Sequence, residues 1–459
     1  MCARPSAAIR AARLALAIGV AAVAARAQAA SFRGVVAAEG YGLTYSGAEQ
    51  TSASFGFDLR LDGTSITDLD LATHVDGEVR IPADGRDLYD PDVPFYRVSR
   101  LSLGLDPEHG WVALAGREWI VDVPTASVDG VTFGYRFQNF RLGAFAGLEP
   151  NPYDQTIDPD YTTGGGFVGF EGDTASAAAG LAVSLFDGNA DRESITGQGR
   201  WTPTRELSTF ASLRLDLAVA DQATRLGSLA LGADWRPTAA LSLAGHFTSY
   251  RFLLRPESLA DGELERIANP ERQSIDGRVR YQLSSNLYTR VRLAYRLRQA
   301  VPSYEVRLLP DGVPTDGTAG EVYVDDQGRS YVLAATTKDE SSFGGGLAFG
   351  GRKLASLPVG WEVAYTGVTG FGRNDHEGAL SFDFDLASAG TLSVGTGVDL
   401  RQRDDTGSDV GGFARAALFW LIDRDWFALG SYEATLADGD LDHAILAKVG
   451  YRIRPTSPK

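Results

Sequence analysis

Polar and apolar residues alternate along most of the chain after residue 30. The stretch RVRYQLSSNLYTRVRLAYRLR, residues 278–298, shows the pattern on both sides of a Ser-Ser-Asn turn. A period of two places successive side chains on opposite faces of an extended strand. The pattern predicts a β-hairpin with one strongly basic face. The arginines on that face are Arg278, Arg280, Arg290, Arg292, Arg296 and Arg298.

Short and longer connections succeed each other along the chain. About 22 alternating segments lie between residues 31 and 453. The longer connections are residues 80–95, 118–127, 148–160, 251–272 and 299–340. In an up-and-down sheet the two kinds lie at opposite ends of the strands, and an open sheet of this size would expose its edges. We predict an all-β fold, a single closed antiparallel barrel of about 22 strands (range about 16 to 24), with both termini at the short-turn end.

The two faces of several predicted strands differ in chemistry. In LSFDFDL, residues 380–386, phenylalanines occupy one face and aspartates the other, and ITDLDL, residues 66–71, alternates in the same way. Hydrocarbon tolerates the apolar face and excludes the ionised one, so a transmembrane barrel would turn the acids inward. The acids predicted to line the lumen are Asp58, Asp68, Asp70, Asp383 and Asp385.

The first 29 residues have the composition of a secretory signal peptide. Three arginines precede an apolar run at residues 14–25, and Ala27-Gln28-Ala29 fits the cleavage site. We predict that residues 1–29 are removed and that residues 30–459 form the barrel. The only cysteine and the only methionine lie in this leader, which excludes a disulfide framework or thiolate metal site in the mature chain.

The charge balance excludes some partners. The net charge is −16, and loss of the four leader arginines would make it −20, so nucleic acid is not an expected partner. Beyond the leader no apolar run reaches the roughly 18 residues that a membrane helix needs. A membrane-spanning form of this chain would therefore cross with strands.

Aromatic residues cluster where strands are predicted to end. RWTPTRELS, residues 200–208, and DWRPTAALS, residues 234–242, share W-x-P-T-x-x-L-S. Such tryptophans fit an interfacial girdle; a repeated turn in a soluble barrel is the alternative. The girdle residues are predicted to be Trp201, Trp235, Trp426 and Tyr451.

With these features the chain resembles Gram-negative outer-membrane β-barrels of the porin type. Its last strand, HAILAKVGYRIR, is similar to their C-terminal insertion signal but is followed by PTSPK. The resemblance covers residues 30–459 as a pattern. It implies short periplasmic turns, longer extracellular loops, periplasmic termini, and contact with outer-membrane lipid and lipopolysaccharide.

The inward arginines lie about twelve strands from Asp58, Asp68 and Asp70 in the predicted order, which is nearly opposite in a ring of about 22. This arrangement predicts a basic wall facing an acidic wall across the lumen, as in porin constrictions. The alternative is that the arginines pair locally with nearby acids to fill a polar interior. The sequence leaves both open.

A barrel of about 22 strands encloses a hole too wide for a sieve. The 299–340 connection is the internal candidate to narrow it, as a constriction or lid, because residues 321–335 read as a hairpin turning at Asp326-Gln327-Gly328-Arg329. The alternatives are that it is a solvated external loop or that a partner protein occupies the lumen. No haem-attachment motif is present.

Motifs for catalysis are missing, and the five histidines are scattered; no enzymatic activity and no cofactor are predicted. Two acidic stretches are candidates for Ca²⁺ or Mg²⁺ through carboxylate oxygens, with solvated loop charge as the alternative. Their residues are Asp154, Asp158 and Asp160, and Asp438, Asp440 and Asp442.

Two functions remain. The first is an outer-membrane channel for passive diffusion of small hydrophilic solutes or ions through a charged lumen. The second is a structural barrel that houses or docks a partner protein in an envelope-spanning complex.

Overall fold

The computed structural model of the chain describes residues 31–45, 50–64, 70–82, 95–124, 126–150, 156–217, 224–251, 271–298, 303–308, 322–324, 330–336, 340–355, 357–386, 389–403, 407–437 and 439–454. All regular structure in these residues is β-strand. No helix long and apolar enough to cross a membrane occurs in this part of the chain. The predicted leader, residues 1–29, lies outside it.

The described residues form 25 strands, of which 22 belong to one sheet. The first fifteen are β1 Ser31–Tyr45, β2 Gln50–Thr64, β3 Leu71–Pro82, β4 Phe95–Leu105, β5 Gly110–Trp119, β6 Ser127–Phe137, β7 Phe140–Leu148, β8 Tyr161–Glu171, β9 Ala175–Phe186, β10 Asn189–Trp201, β11 Leu207–Asp216, β12 Arg225–Trp235, β13 Leu241–Tyr250, β14 Arg272–Gln282 and β15 Leu287–Arg298. The last seven are β19 Glu340–Gly351, β20 Val359–Gly370, β21 Arg373–Leu386, β22 Gly390–Arg403, β23 Gly407–Leu421, β24 Trp426–Ala437 and β25 Asp440–Ile453.

The large sheet closes on itself. Each strand pairs antiparallel with its neighbours in chain order, β15 pairs with β19, and β25 returns to pair with β1 from Gly34↔Ile453 to Thr44↔His443. Closure pairs the first strand with the last and so removes the two edge strands that an open sheet would have. The predicted fold, a single up-and-down antiparallel barrel of about 22 strands, is confirmed.

Three short strands lie in the long connection between β15 and β19. They are β16 Ser303–Leu308, β17 Val322–Val324 and β18 Ser330–Thr336, and they form a separate sheet in the order β16-β18-β17. The antiparallel pairing of β17 with β18 is the pairing that the hairpin prediction requires. The predicted turn, residues 326–329, lies outside the described residues. Whether this sheet narrows the lumen stays a prediction.

The two ends of the barrel have different connections. We call the end that carries both termini the turn end and the other the loop end. Every long connection lies at the loop end, as predicted. Several loop-end connections are nevertheless tight: Asp187-Gly188 and Phe371-Gly372 have positive φ at both residues, as a two-residue type I′ hairpin requires.

The repeated W-x-P-T-x-x-L-S motif forms two similar turns at the turn end. Thr204 Oγ1 accepts hydrogen bonds from the backbone N–H groups of Glu206 and Leu207, both at 3.2 Å. Thr238 Oγ1 accepts one from the N–H of Leu241 at 3.1 Å. The threonine thus satisfies backbone donors that the turn leaves free, and the preceding tryptophan ends the outgoing strand in each case.

The two faces of the sheet are opposite in character. Val131 and Phe133 of β6 are exposed, whereas Thr132 between them is buried, the reverse of a water-soluble surface. One cavity runs across seven consecutive strands, from Phe210 on β11 to Thr366 on β20, which only the concave side of a closed sheet permits. The polar face therefore lines the lumen and the apolar face surrounds the barrel, as in membrane-embedded barrels.

Tryptophans concentrate on the outer surface near the turn end. Trp201 and Trp235 end β10 and β12, Trp426 begins β24, and Trp426 packs against Tyr451 with 5.1 Å between the ring centroids. Trp111 lies one residue from the same end of β5 and is also exposed. These positions fit an interfacial aromatic belt; that these residues meet a lipid interface stays a prediction.

Two adjacent residues of β15 test the assignment of the faces. Leu293 points outward and is 51% exposed, and Ala294 points inward opposite Asp276. We expect Leu293→Arg to lower the free energy of unfolding by about 2–4 kcal/mol, because the charge would enter hydrocarbon. Ala294→Arg should change it little. Urea titration in detergent micelles measures both, and equal losses would contradict the assignment.

Candidate functional site

The hairpin β14–β15 presents its arginines to the lumen. Their register sets them side by side: Arg278 is opposite Arg292, and Arg280 is opposite Arg290. Arg296 and Arg298 continue the same face toward the loop end, where Arg298 is opposite Arg272. The structure therefore brings all six predicted arginines together, with a seventh beside them, and we call the six the basic wall.

Three members of the basic wall are ion-paired. Arg290 Nη2 lies 2.7 Å from Glu362 Oε1, and Arg292 Nη2 lies 3.1 Å from Asp276 Oδ1. Arg298 pairs with Glu340. Half of the six arginines are thus paired with nearby acids, as the second sequence-based interpretation expects. The pairing arises because three acids on β14, β19 and β20 face the same part of the lumen.

The other three members have no carboxylate partner among the described residues. The guanidinium of Arg280 lies over the ring of Tyr288, 4.4 Å from its centroid, a cation–π contact that leaves the charge in place. Arg278 and Arg296 form no ion pair with a described residue. The wall therefore keeps an excess of fixed positive charge that small anions in the lumen would meet.

A cavity of about 710 Å³ lies against this wall. On the side of the barrel wall, the cavity is lined by a row of inward-facing residues that are paired with each other across neighbouring strands. They are Ala244, Arg278, Arg292, Gly346 and Thr366. The small residues on either side leave the two guanidinium groups as the largest side chains in the row. Arginine's permanent charge and fixed fork of donors suit it to bind carboxylate or phosphate groups.

Only some of the predicted acidic residues lie on the inward face of a strand. Asp58 points inward from β2 and pairs with Lys448, which also lies 3.2 Å from Glu39. Asp383 and Asp385 lie on the inward face of β21 near the turn end, where Asp383 accepts a hydrogen bond from Ser393. Asp70 directly precedes β3 with a φ of 53° and is not part of the strand. Asp68 lies outside the described residues.

The relative positions of the two predicted walls follow from closure. β14 lies twelve strands from β2 in one direction around the 22-strand ring and ten in the other, so Asp58 and the basic wall are on nearly opposite sides. However, Asp58 forms an ion pair with Lys448, which offsets its negative charge. The described residues at this place therefore do not form a uniform acidic wall, and the role of the predicted acids in selectivity stays a proposal.

A short connection enters the lumen, which the sequence did not reveal. Between β5 and β6, residues 120–124 leave the wall and pack inward. Ile120, Val123 and Ala126 form an apolar cluster with Val128, Phe145 and Ala182. Asp122 pairs with Arg141 of β7 at 2.7 Å. We call residues 120–126 the inward segment; its described members occupy part of the lumen and so reduce the cross-section of the bore.

No protein-family model and no curated protein matches the sequence. Solved structures similar to the chain include OccK8 (OprE) of Pseudomonas aeruginosa, with 10% identity, a TM-score of 0.44, and coverage of 93% of this chain and 98% of that one. OpdO of the same organism has 11% identity, a TM-score of 0.43, and coverage of 92% and 97%. OccAB1 of Acinetobacter baumannii has 8% identity, a TM-score of 0.43, and coverage of 93% and 97%.

The acidic stretches form no metal centre in the described part of the chain, where no group of three or more His, Cys, Asp or Glu side chains is placed to hold an ion. Asp158, Asp160, Asp440 and Asp442 lie in that part. Asp154 and Asp438 lie outside it, so neither predicted trio is described in full. Binding of Ca²⁺ or Mg²⁺ there stays a prediction.

Glu271 fastens the start of β14 to the end of β13 at the loop end. It accepts hydrogen bonds from Ser249 Oγ at 2.6 Å, Gln273 Nε2 at 2.7 Å and Arg251 Nη2 at 3.0 Å. These donors, Ser249 first, hold the pKa of Glu271 below its ordinary value of 4.5. The carboxylate is therefore the form that stabilises this corner of the fold.

The lowered pKa predicts an acid-dependent loss of stability. The contribution of Glu271 is fully present above pH 4.5 and is lost as the pH falls through the lowered pKa. We expect the urea midpoint of the wild type to fall more than that of Glu271→Gln when the pH is lowered from about 6 to about 3. Parallel curves for the two proteins would contradict the role of the carboxylate.

Proposed function

We propose that the protein is an outer-membrane channel through which small hydrophilic solutes or ions diffuse passively. One observation carries the proposal: a closed barrel with an apolar outer surface encloses a cavity lined by fixed charges. A polar bore in an apolar shell lowers the cost of moving a charged solute across hydrocarbon. The channel performs no covalent step.

The basic wall supports a preference among solutes. Arg278 and Arg296 have no carboxylate partner in the described chain, so anions are favoured there over cations. We propose that the turn end faces the periplasm, with both termini, and that the loop end faces the exterior. Outer-membrane lipid and lipopolysaccharide would then be the surrounding partners.

Planar-bilayer recording tests the channel directly. We expect the purified protein to give stepwise ion conductance, because a closed barrel of 22 strands with a polar inner face encloses a wide aqueous bore. Absence of conductance from correctly folded protein, verified by heat-modifiable migration on a gel, would contradict an open channel. That result would favour the structural barrel whose lumen a partner protein fills.

A further inference from the structure

The barrel wall has one weakly joined place, between β4 and β5. Their ladder contains five residue pairs, from Leu101↔Arg117 to Leu105↔Ala113, whereas the next shortest ladders of the barrel contain eight. β4 has six more residues, of which five pair with β3 and none with β5, because the chain after β5 turns into the lumen. The wall therefore has a notch, with Tyr96 and Val98 of β4 on one side and Trp119, the last residue of β5, on the other.

Apolar side chains surround this notch on the outside. Tyr96 is 62% exposed and Trp119 is 53% exposed, and Leu101 below them also points outward. In the described part of the chain, the notch therefore lies at the level of the apolar outer surface. Side chains, not backbone hydrogen bonds, join its two sides: Arg117 Nη1 donates to the carbonyl of Val98 at 2.7 Å, and Arg100 pairs with Glu118 at 2.8 Å.

A cavity of about 190 Å³ lies directly behind the notch. Arg100, Glu118 and Trp119 belong to both the notch and the cavity lining, and the inward segment covers the cavity from the lumen side. Val112, Leu114 and Phe167 supply apolar surface. The cavity is somewhat larger than an apolar cavity of about 150 Å³ that holds benzene, so it fits one substituted aromatic ring or a short alkyl chain.

The polar groups of the cavity indicate an uncharged ligand. Its three arginines are each paired with an acid: Arg100 with Glu118, Arg136 with Asp106, and Arg141 with Asp122. Thr132 is nine-tenths buried, and its Oγ1 has no hydrogen-bond partner among the described residues. A buried hydroxyl without a partner is costly, and a ligand hydroxyl would satisfy it.

We propose that this cavity binds a small neutral amphiphile, an aromatic or short-chain alcohol, and that the notch connects it laterally to the bilayer. The main lumen carries hydrophilic solutes; this route would serve molecules that partition into membranes. The proposal does not depend on conduction through the lumen, since the cavity lies between the wall and the inward segment.

Photolabelling of the purified barrel in nanodiscs tests the cavity. A diazirine-substituted benzyl alcohol should label Leu114 and Phe167, mapped by mass spectrometry, and excess benzyl alcohol should compete. Leu114→Trp fills the cavity and should lower labelling of Phe167 at least fivefold. Leu446→Trp, at another half-buried inward leucine, is the matched control and should leave it unchanged. Labelling of Phe167 that neither competitor nor Leu114→Trp reduces would overturn the binding site.

A second probe tests the lateral connection. A phospholipid with a diazirine in its acyl chain is anchored in the bilayer and should label Trp119, and through the notch Ile120 and Phe167. Arg100→Gln removes one of the contacts across the notch and should raise labelling of Phe167 at least threefold. Labelling confined to outward residues in both proteins would overturn the lateral route. Conductance of the same preparations, measured separately, reports on the channel alone.

Discussion

Replacing Arg117 with leucine is expected to destabilise the barrel by about 3–5 kcal/mol, the loss found when one member of a buried ion pair is removed. Arg117 points toward the outer face of β5 but is only 8% exposed. Its Nε donates to Asp129 Oδ1 at 2.6 Å, and a second nitrogen donates to Oδ2. Without the guanidinium, a carboxylate would remain on the apolar side of the wall. Equilibrium urea unfolding in micelles measures the loss.

The double variant Arg117→Leu/Asp129→Leu is the control. It removes both charges, and two leucines at neighbouring outward positions suit hydrocarbon, so most of the lost stability should return. A deficit of about 1 kcal/mol should remain, because the carbonyl of Val98 loses its donor. If the double variant were as unstable as the single one, packing by the arginine stem would be the important contribution and the ion pair would not.

The strands could be predicted because a half-apolar barrel wall imposes a period of two on nearly every residue. One exception was at β3, which begins at Leu71 although the alternating pattern begins near residue 66. Asp70 fits that pattern but takes a positive φ directly before the strand. Alternation alone does not locate the first residue of a strand.

The inward segment was missed because a seven-residue connection looks like an ordinary loop. A signal was present in the strands that it contacts. Gly180 and Gly169 face the lumen, and a Cβ on them would lie 2.3 Å from Val123 Cγ2 and 2.9 Å from Asp122 Oδ1. The glycine- and alanine-rich inward faces of β8 and β9 therefore make room for a chain inside the barrel. Small residues there indicate an occupant of the lumen.

The ion pairs of the basic wall could not be predicted from the sequence either. Glu362 reaches Arg290 across the intervening strand β19, and the two residues are 72 positions apart. The register of β19 and β20 places them together, and that register depends on where the strands resume after the connection of residues 299–339. The alternation predicted that each arginine points into the lumen, but it did not predict which acid would pair with it.

Neutralising the six arginines of the basic wall together, each to glutamine, is expected to shift ion selectivity toward cations. The change removes six fixed positive charges from one side of the bore and leaves Asp276, Glu340 and Glu362 without their arginine partners. We expect the chloride-to-potassium permeability ratio to fall by about fivefold or more, the factor that corresponds to about 1 kcal/mol of electrostatic energy. Zero-current potentials in a KCl gradient measure the ratio.

Two smaller variants separate net charge from the geometry of the wall. Arg292→Gln/Asp276→Asn removes an ion pair without changing net charge, so the permeability ratio should stay near the wild-type value. Arg278→Gln/Arg296→Gln removes two arginines that no described carboxylate pairs with, and should shift the ratio toward cations while leaving the three ion pairs intact. An equal shift of the permeability ratio in both double variants would mean that local geometry sets selectivity.

A ratio unchanged even by the sixfold variant would remove the basic wall from the conduction path, because fixed charge beside a conducting bore must act on the ions that pass it.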